Sequence, residues 1–178
     1  ANNMGARHCA LALLLLRPVG AGVPPSEMSA LRSLYEATKG SQWTNNTGWF
    51  GGGDPCLGWY GVSCNAAGSA VTTLALPSNG MSGTLPTQLA DLTQLGSLNL
   101  NSNALSGTIV TEIGKLTQLE TLDLGGNALS GTIVTEIGSL TQLRGLELGS
   151  DARRGGNATG TGRPPQLETL ELGRTAPS

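Results

Sequence analysis

A 24-residue pattern recurs through the second half of the chain and constrains its fold more than any other feature. Blocks begin at Val71, Leu95, Leu119, Leu143 and Leu167. The second and third, LGSLNLNSNALSGTIVTEIGKLTQ and LETLDLGGNALSGTIVTEIGSLTQ, are near copies. The first, VTTLALPSNGMSGTLPTQLADLTQ, keeps the apolar frame, and the last, LETLELGRTAPS, covers half a period. Self-similarity at such a period marks a stacked array, in which one unit cannot bury its apolar side alone and each unit covers the next. The 29 leucines, against one Phe, two Tyr and three Trp, fit a core of many small aliphatic contacts.

Each block opens L-x-x-L-x-L. Leu98 and Leu100, or Leu122 and Leu124, alternate with polar neighbours, the period of a short strand. A second apolar set follows: Leu105, Ile109, Ile113 and Leu116, then Leu129, Ile133, Ile137 and Leu140. Gly107 and Gly131 sit where the chain must turn. Between the two sets stands an asparagine, at Asn79, Asn103 and Asn127. Its amide suits a structural ladder, bonding backbone groups of adjacent turns at about 1 kcal/mol per bond.

This pattern resembles the plant-type leucine-rich repeat, LxxLxxLxLxxNxLSGxIPxxIGxLxx. Residues 95–142 follow it closely, except that Val110 and Val134 stand where the family has proline; Pro86 keeps that proline in the first block. The resemblance implies an α/β fold: a right-handed solenoid with a short parallel sheet on its concave face and a helical, disulfide-bearing N-terminal cap. It is expected to hold about 4.5 turns over residues 71–178, with an irregular loop at 149–166. There the fourth block decays into DARRGGNATGTGRPPQ, and Asp151 replaces the ladder asparagine.

Residues 24–70 read as the cap. Ser26 is the expected N-cap of a helix through Met28, Leu31, Leu34 and Tyr35, with Gly40 its expected stop. All six aromatic residues fall between Tyr35 and Tyr60, where an exposed first turn needs a lid. Cys56 and Cys64 have a spacing compatible with a disulfide; free thiols and a metal pair are the alternatives. The run DPC-x-x-W-x-G-V-x-C around them is similar to the N-terminal cap of plant-type repeat proteins.

Residues 1–23 look like a secretory signal: Arg7, an apolar run from Cys9 to Leu16, then small residues with Val19 and Ala21 before a cleavage point. An apolar helix retained and docked on the body is the alternative. Eight apolar residues are too few to span a bilayer, which takes about 20. Asn45-Asn46-Thr47 and Asn157-Ala158-Thr159 are candidate glycosylation sequons.

Function is expected on the sheet. Between the strand leucines, one column reads Ala75, Asn99, Asp123, Glu147, Glu171, and its neighbour Thr72, Gly96, Glu120, Arg144, Glu168. With Asn101, the residues Asn99, Glu120, Asp123, Arg144, Glu147, Glu168 and Glu171 form the expected partner-binding face, about 20 Å wide at strand spacing. Carboxylates on an open sheet are not desolvated enough for acid–base tuning. Among further signs against catalysis, no GxSxG, Walker A or HExxH motif occurs and the one histidine is His8. The net charge of −2 offers no basic surface for nucleic acid.

The chain is therefore read as a non-catalytic protein-interaction module, with no cofactor and no metal. It binds a protein partner through the concave face or the uncapped C-terminal edge, and it is secreted or in an organelle lumen, the plastid or thylakoid included. Three alternatives stand beside this reading. One is a structural subunit of a larger membrane assembly, such as an algal photosynthetic one. Another is an ice- or glycan-binding protein using Thr108, Thr111, Thr132 and Thr135. The last is a fragment of a receptor-kinase ectodomain.

Overall fold

The computed structural model describes residues 22–49, 51–149 and 164–172. The signal-like segment, apart from Gly22 and Val23, lies outside them. So do Cys9, Phe50, residues 150–163 of the irregular loop with the second sequon, and the chain after 172.

Helix α1 spans Pro25–Ala37 and opens the described structure. Ser26 does not cap it: the cap position is Pro24, and no side chain bonds the first turn. Proline suits the first helical position, where its missing N–H would be unpaired anyway and its φ is preset. Pro25 therefore starts the helix one residue before the serine. Nor is Gly40 the stop. Thr38 closes the helix, its hydroxyl donating to the Leu34 carbonyl at 2.7 Å, and Lys39 turns left-handed at φ 56°. Gly40 serves packing instead, because a Cβ there would collide with the Tyr35 ring.

Nine strands follow among the described residues: β1 Val62–Cys64, β2 Val71–Ala75, β3 Ser82–Thr84, β4 Ser97–Asn99, β5 Ala104–Gly107, β6 Thr121–Asp123, β7 Ala128–Leu129, β8 Gly145–Leu148 and β9 Thr169–Leu172. They sort into two sheets, β1-β2-β4-β6-β8-β9 and β3-β5-β7. In the larger sheet β1 runs antiparallel to β2, and every later pair is parallel with partners 24 residues apart, such as Leu74↔Leu98 and Leu98↔Leu122. Parallel neighbours need a crossover connection. From β2 to β8 the rest of each repeat supplies it through a strand of the smaller sheet and a 3₁₀ turn, at Thr87–Asp91, Thr111–Lys115 and Thr135–Ser139. The smaller sheet carries no alternating apolar pattern, and its periodicity in the sequence reads as a plain turn.

Valine in place of the consensus proline changes nothing locally. Pro86 (φ −80°, ψ 146°), Val110 (φ −73°, ψ 141°) and Val134 (φ −67°, ψ 141°) share one extended conformation ahead of the 3₁₀ turns.

The leucines form columns rather than one pooled core. Leu74, Leu98, Leu122 and Leu146 are buried one above another, as are Leu76, Leu100, Leu124 and Leu148. Burying each contributes roughly 1.5–3 kcal/mol before entropy is counted. Asparagines tie the columns together. Asn103 Oδ1 accepts from the backbone N–H of Asn79 (2.9 Å) and Met81 (3.0 Å), while its Nδ2 donates to the carbonyls of Leu76, Leu100 and Asn101. Asn127 repeats this one turn on, accepting from Leu105 N–H and donating to Leu100 and Leu124. Asn79 carries the ladder into the cap, exchanging bonds with the backbone N–H and carbonyl of Asn45.

The cap closes the other end of the array. Tyr35, Trp43, Trp49 and Trp59 form one cluster, with ring centroids 4.8 Å apart for Trp43–Trp49 and 4.9 Å for Trp49–Trp59. Each buried indole N–H finds a carbonyl: Trp43 on Thr38, Trp49 on Tyr60 and Trp59 on Gly53. A disulfide joins Cys56 to Cys64, tying the 3₁₀ turn Pro55–Leu57 to β1. The carboxylate of Glu27, buried under α1, accepts from the Val71 N–H at 2.8 Å. Burial raises its pKa above the ordinary carboxylate value, and that hydrogen bond opposes the shift.

Candidate functional site

The open face of the larger sheet places the two expected columns in register. Ala75↔Asn99↔Asp123↔Glu147↔Glu171 follow one another as strand partners. The neighbouring column runs through the bonds Gly96 N–H to Thr72 O, Glu120 to Gly96, Arg144 to Glu120 and Glu168 to Arg144. Charge is unevenly spread. The first two turns present Thr72, Thr73, Ala75, Gly96, Ser97 and Asn99, all uncharged. The last three present Glu120, Asp123, Glu147, Glu168 and Glu171 against Arg144, a formal −4 from five carboxylates and one guanidinium. Exposure rises the same way: Asn99 and Asp123 are half-buried, while Glu120, Arg144, Glu147, Glu168 and Glu171 are exposed.

These residues divide into two kinds. Asn99 Oδ1 accepts from Asn101 N–H at 3.1 Å, and Asp123 Oδ1 accepts from Gly125 N–H at 3.0 Å. Both close the turn that leaves their strand, and the Asn101 amide bonds Asp123 across the turns. Asn99, Asn101 and Asp123 therefore serve the fold. Glu147 sits in the same column, and its pKa is raised, first by Asp123, then by slight desolvation and by Glu171. The column is short of positive charge, and a cation seated on it would relieve that repulsion.

Sequence reasoning passes over the strip between the two columns. Thr73↔Ser97↔Thr121↔Gly145↔Thr169 are strand partners, and the Thr121 hydroxyl donates to Ser97 Oγ at 2.8 Å. This is a hydroxyl strip with one gap, at Gly145, in its most acidic part. Its signal is present at the 24-residue period, but hydroxyls are less conspicuous there than the charges beside them.

A second polar surface lies along the smaller sheet and its turns. Thr84, Thr108 and Thr132 stand exposed one turn apart, as do Thr87, Thr111 and Thr135. The residues expected from the sequence cover only the last two turns of this array. The Thr84 and Thr108 methyl groups lie over Gly107 and Gly131, which have no Cβ to obstruct them. Neighbouring Ser106 and Ser130 donate to the carbonyls of Gly83 and Gly107, so their hydroxyls are engaged.

Among the described residues no group of three or more His, Cys, Asp or Glu side chains is placed to hold a metal ion. Among them, too, no helix is long and apolar enough to cross a membrane. Arg153, Arg154, Arg163 and Asn157 of the irregular loop lie outside the described residues.

The Leucine Rich Repeat family model matches residues 94–116 and 118–140. The chain also superposes on the crystal structure of the BIR3–SERK2 complex from Arabidopsis thaliana. The TM-score is 0.72 at 30% identity, covering 83% of this chain and 80% of that one. The chain belongs to the leucine-rich repeat family.

Among curated relatives of this leucine-rich repeat protein is phytosulfokine receptor 2 of Arabidopsis thaliana, 37% identical over 93 residues. That match covers 49% of the chain and 9% of the receptor. The repeat protein also resembles a plant ice-binding protein, with a TM-score of 0.72 at 27% identity over 86% of this chain and 49% of that one.

Proposed function

We propose that this leucine-rich repeat protein is a non-catalytic, extracellular binding module that docks a basic segment of a protein partner across the last three turns of its larger sheet. The observation that carries the reading is the in-register carboxylate column, with Glu147 pushed up by Asp123 and Glu171. Two relatives support it: one is a receptor, and the other was crystallised in a complex. A disulfide in the cap fits an oxidising, extracellular setting. Neither relative favours an organelle lumen or a photosynthetic membrane assembly.

The test is charge reversal at exposed positions that hold no turn together. Glu120→Lys combined with Glu147→Lys is expected to weaken binding of arginine- and lysine-rich extended peptides about tenfold or more, a change of at least about 1.4 kcal/mol. Wild-type binding should fall with added salt. Asp123 is left intact, because replacing it would also disturb the turn at Gly125. Unchanged affinity in the double variant, or a set of selected ligands with no excess of basic residues, would sink the proposal.

A second reading is favoured by the threonine array and the ice-binding relative. Six exposed threonines repeated on three turns suit an ordered water lattice. If that face binds ice, Thr108→Lys and Thr132→Lys abolish thermal hysteresis while Glu147→Lys leaves it unchanged. Wild-type protein with no hysteresis refutes this reading.

A further inference from the structure

We propose that Asn45 is a glycosylated residue and that its glycan shields the exposed apolar part of the cap. Two sequons occur in the chain, Asn45-Asn46-Thr47 and Asn157-Ala158-Thr159, and the first lies within the described residues. A sequon is weak evidence alone, since many asparagines in a folded protein make bonds that a glycan would destroy. Among the described residues, Asn45 makes none that a glycan would break. The Asn45 backbone N–H donates to Asn79 Oδ1 at 2.8 Å, its carbonyl accepts from Asn79 Nδ2 at 2.9 Å, and its own Oδ1 accepts from Thr47 N–H at 3.0 Å. Among the described residues nothing accepts a hydrogen bond from its Nδ2. That is the one atom a glycan would substitute, so attachment costs the fold no bond.

The other asparagines nearby contrast with it. Asn46 commits its Nδ2 to the Gly40 carbonyl, and Asn79, Asn103 and Asn127 commit theirs to the ladder. Thr47 is exposed.

A second, independent observation concerns what lies beside the sequon. Leu57 is 65% exposed and Tyr60 38%, and the Tyr60 N–H donates to the Thr47 carbonyl at 2.9 Å. Among the described residues these two are the cap's exposed large apolar side chains, a small apolar surface open to solvent. A bulky hydrophilic glycan springing from Asn45 covers it. The acidic column sits turns away, so the glycan leaves it free.

The step is a group transfer. Asn45 Nδ2 forms a bond to the anomeric carbon of an oligosaccharide carried on a lipid diphosphate. The bond from that carbon to the diphosphate oxygen breaks, the lipid diphosphate leaves with the electron pair, and Nδ2 gives up one proton.

The full chain, secreted from a glycosylating eukaryotic host behind a heterologous leader, supplies the test. Enzymatic release of glycans in heavy-oxygen water leaves a labelled aspartate at each former site, which peptide mass mapping reads. Label at Asn45 is expected in most molecules, lost in Thr47→Ala and kept in Thr47→Ser. The deglycosylated or Thr47→Ala protein should aggregate at lower concentration than wild type. Secreted, disulfide-bonded protein with Asn45 unlabelled overturns the proposal. Should Thr47→Ala fail to leave the cell, translation into microsomes in an Asn157→Gln background decides. A glycan-dependent mobility shift seen with Thr47, kept in Thr47→Ser and lost in Thr47→Ala supports the proposal. No shift in the chain that retains Thr47 overturns it.

Discussion

Asn103→Ala is expected to cost about 3–5 kcal/mol of stability, at the upper end for a single substitution. One side chain satisfies two backbone N–H groups and three backbone carbonyls, drawn from two successive turns. The Asn101 carbonyl also accepts from the Ser78 N–H and the Leu100 carbonyl from Asn127, but the Asn79 and Met81 N–H groups and the Leu76 carbonyl depend on Asn103, because they sit where the chain leaves the larger sheet for the smaller one. Each buried group left unbonded costs about 1–3 kcal/mol, and water entering the vacated space recovers only part. Asn101→Ala is the control. Its amide makes a single bond to Asp123 near the surface, and its loss should cost about 1 kcal/mol. Urea melts of the two variants check this. If Asn103→Ala unfolds at the same midpoint as Asn101→Ala, the ladder is not what holds the turns together. Repeat arrays couple nearest neighbours, so the variant should also broaden the transition, freeing the turns on either side of Asn103 from one another.

Gly83→Ala should be comparably damaging, and for a different reason. Gly83 has φ +124°, a conformation that side chains resist, and a Cβ there would drive into the carbonyl oxygen of Ala37 at the end of α1. The obstacle is backbone on both sides. Ser82 N–H bonds the Thr38 carbonyl at 3.2 Å, so the helix end cannot withdraw without breaking that bond. Strain of about 1–3 kcal/mol for the backbone conformation adds to about 1–3 kcal/mol for the overpacked contact. Gly107 occupies the same place one turn later with φ +79°, but there a Cβ would meet only the Thr84 methyl at 3.1 Å, and that side chain can rotate. Gly107→Ala should therefore cost clearly less. Thermal melts giving the two alanines equal effects would show that the cap does not dock through Gly83.

Much of this fold was legible in the residue order. The 24-residue period placed the strand leucines, and their columns are buried as such a period requires. The aromatic-rich stretch between Tyr35 and Tyr60 was readable as a lid because nothing else in the chain is aromatic. The cysteine pair was readable as a bridge, though only in competition with free thiols and metal. Illegible parts share a cause, which is dependence on a neighbour outside the local pattern. The helix starts ahead of Ser26 because Pro24-Pro25 sets the backbone first. Gly40 looks like a stop, yet its lack of a side chain answers to the Tyr35 ring. The smaller sheet exists because successive turns align Ser82–Thr84, Ala104–Gly107 and Ala128–Leu129, none of which alternates like a strand.

The candidate site was half legible. Sequence alone determined which residues share a column, since one fixed period with side chains alternating along each strand leaves no freedom in the register. It thereby determined the solenoid, the polarity of its open face and the drift toward acid along it. Only the tertiary structure decided which of those polar groups are free. Asn99 and Asp123 look like ligands in waiting, but the turn after each strand brings a backbone N–H back onto their oxygens, at Asn101 and Gly125. Glu147, in the same column, shows no such bond among the described residues and carries the repulsion of its two neighbours. The same turns hold Ser78 and Ser102 left-handed, at φ 49° and 55°, where Gly126 takes φ 67° one turn on. Local propensity would not choose serine for that conformation. Hydrogen bonds to the adjacent turn impose it, because a backbone group buried between layers must find a partner wherever the stacking puts one.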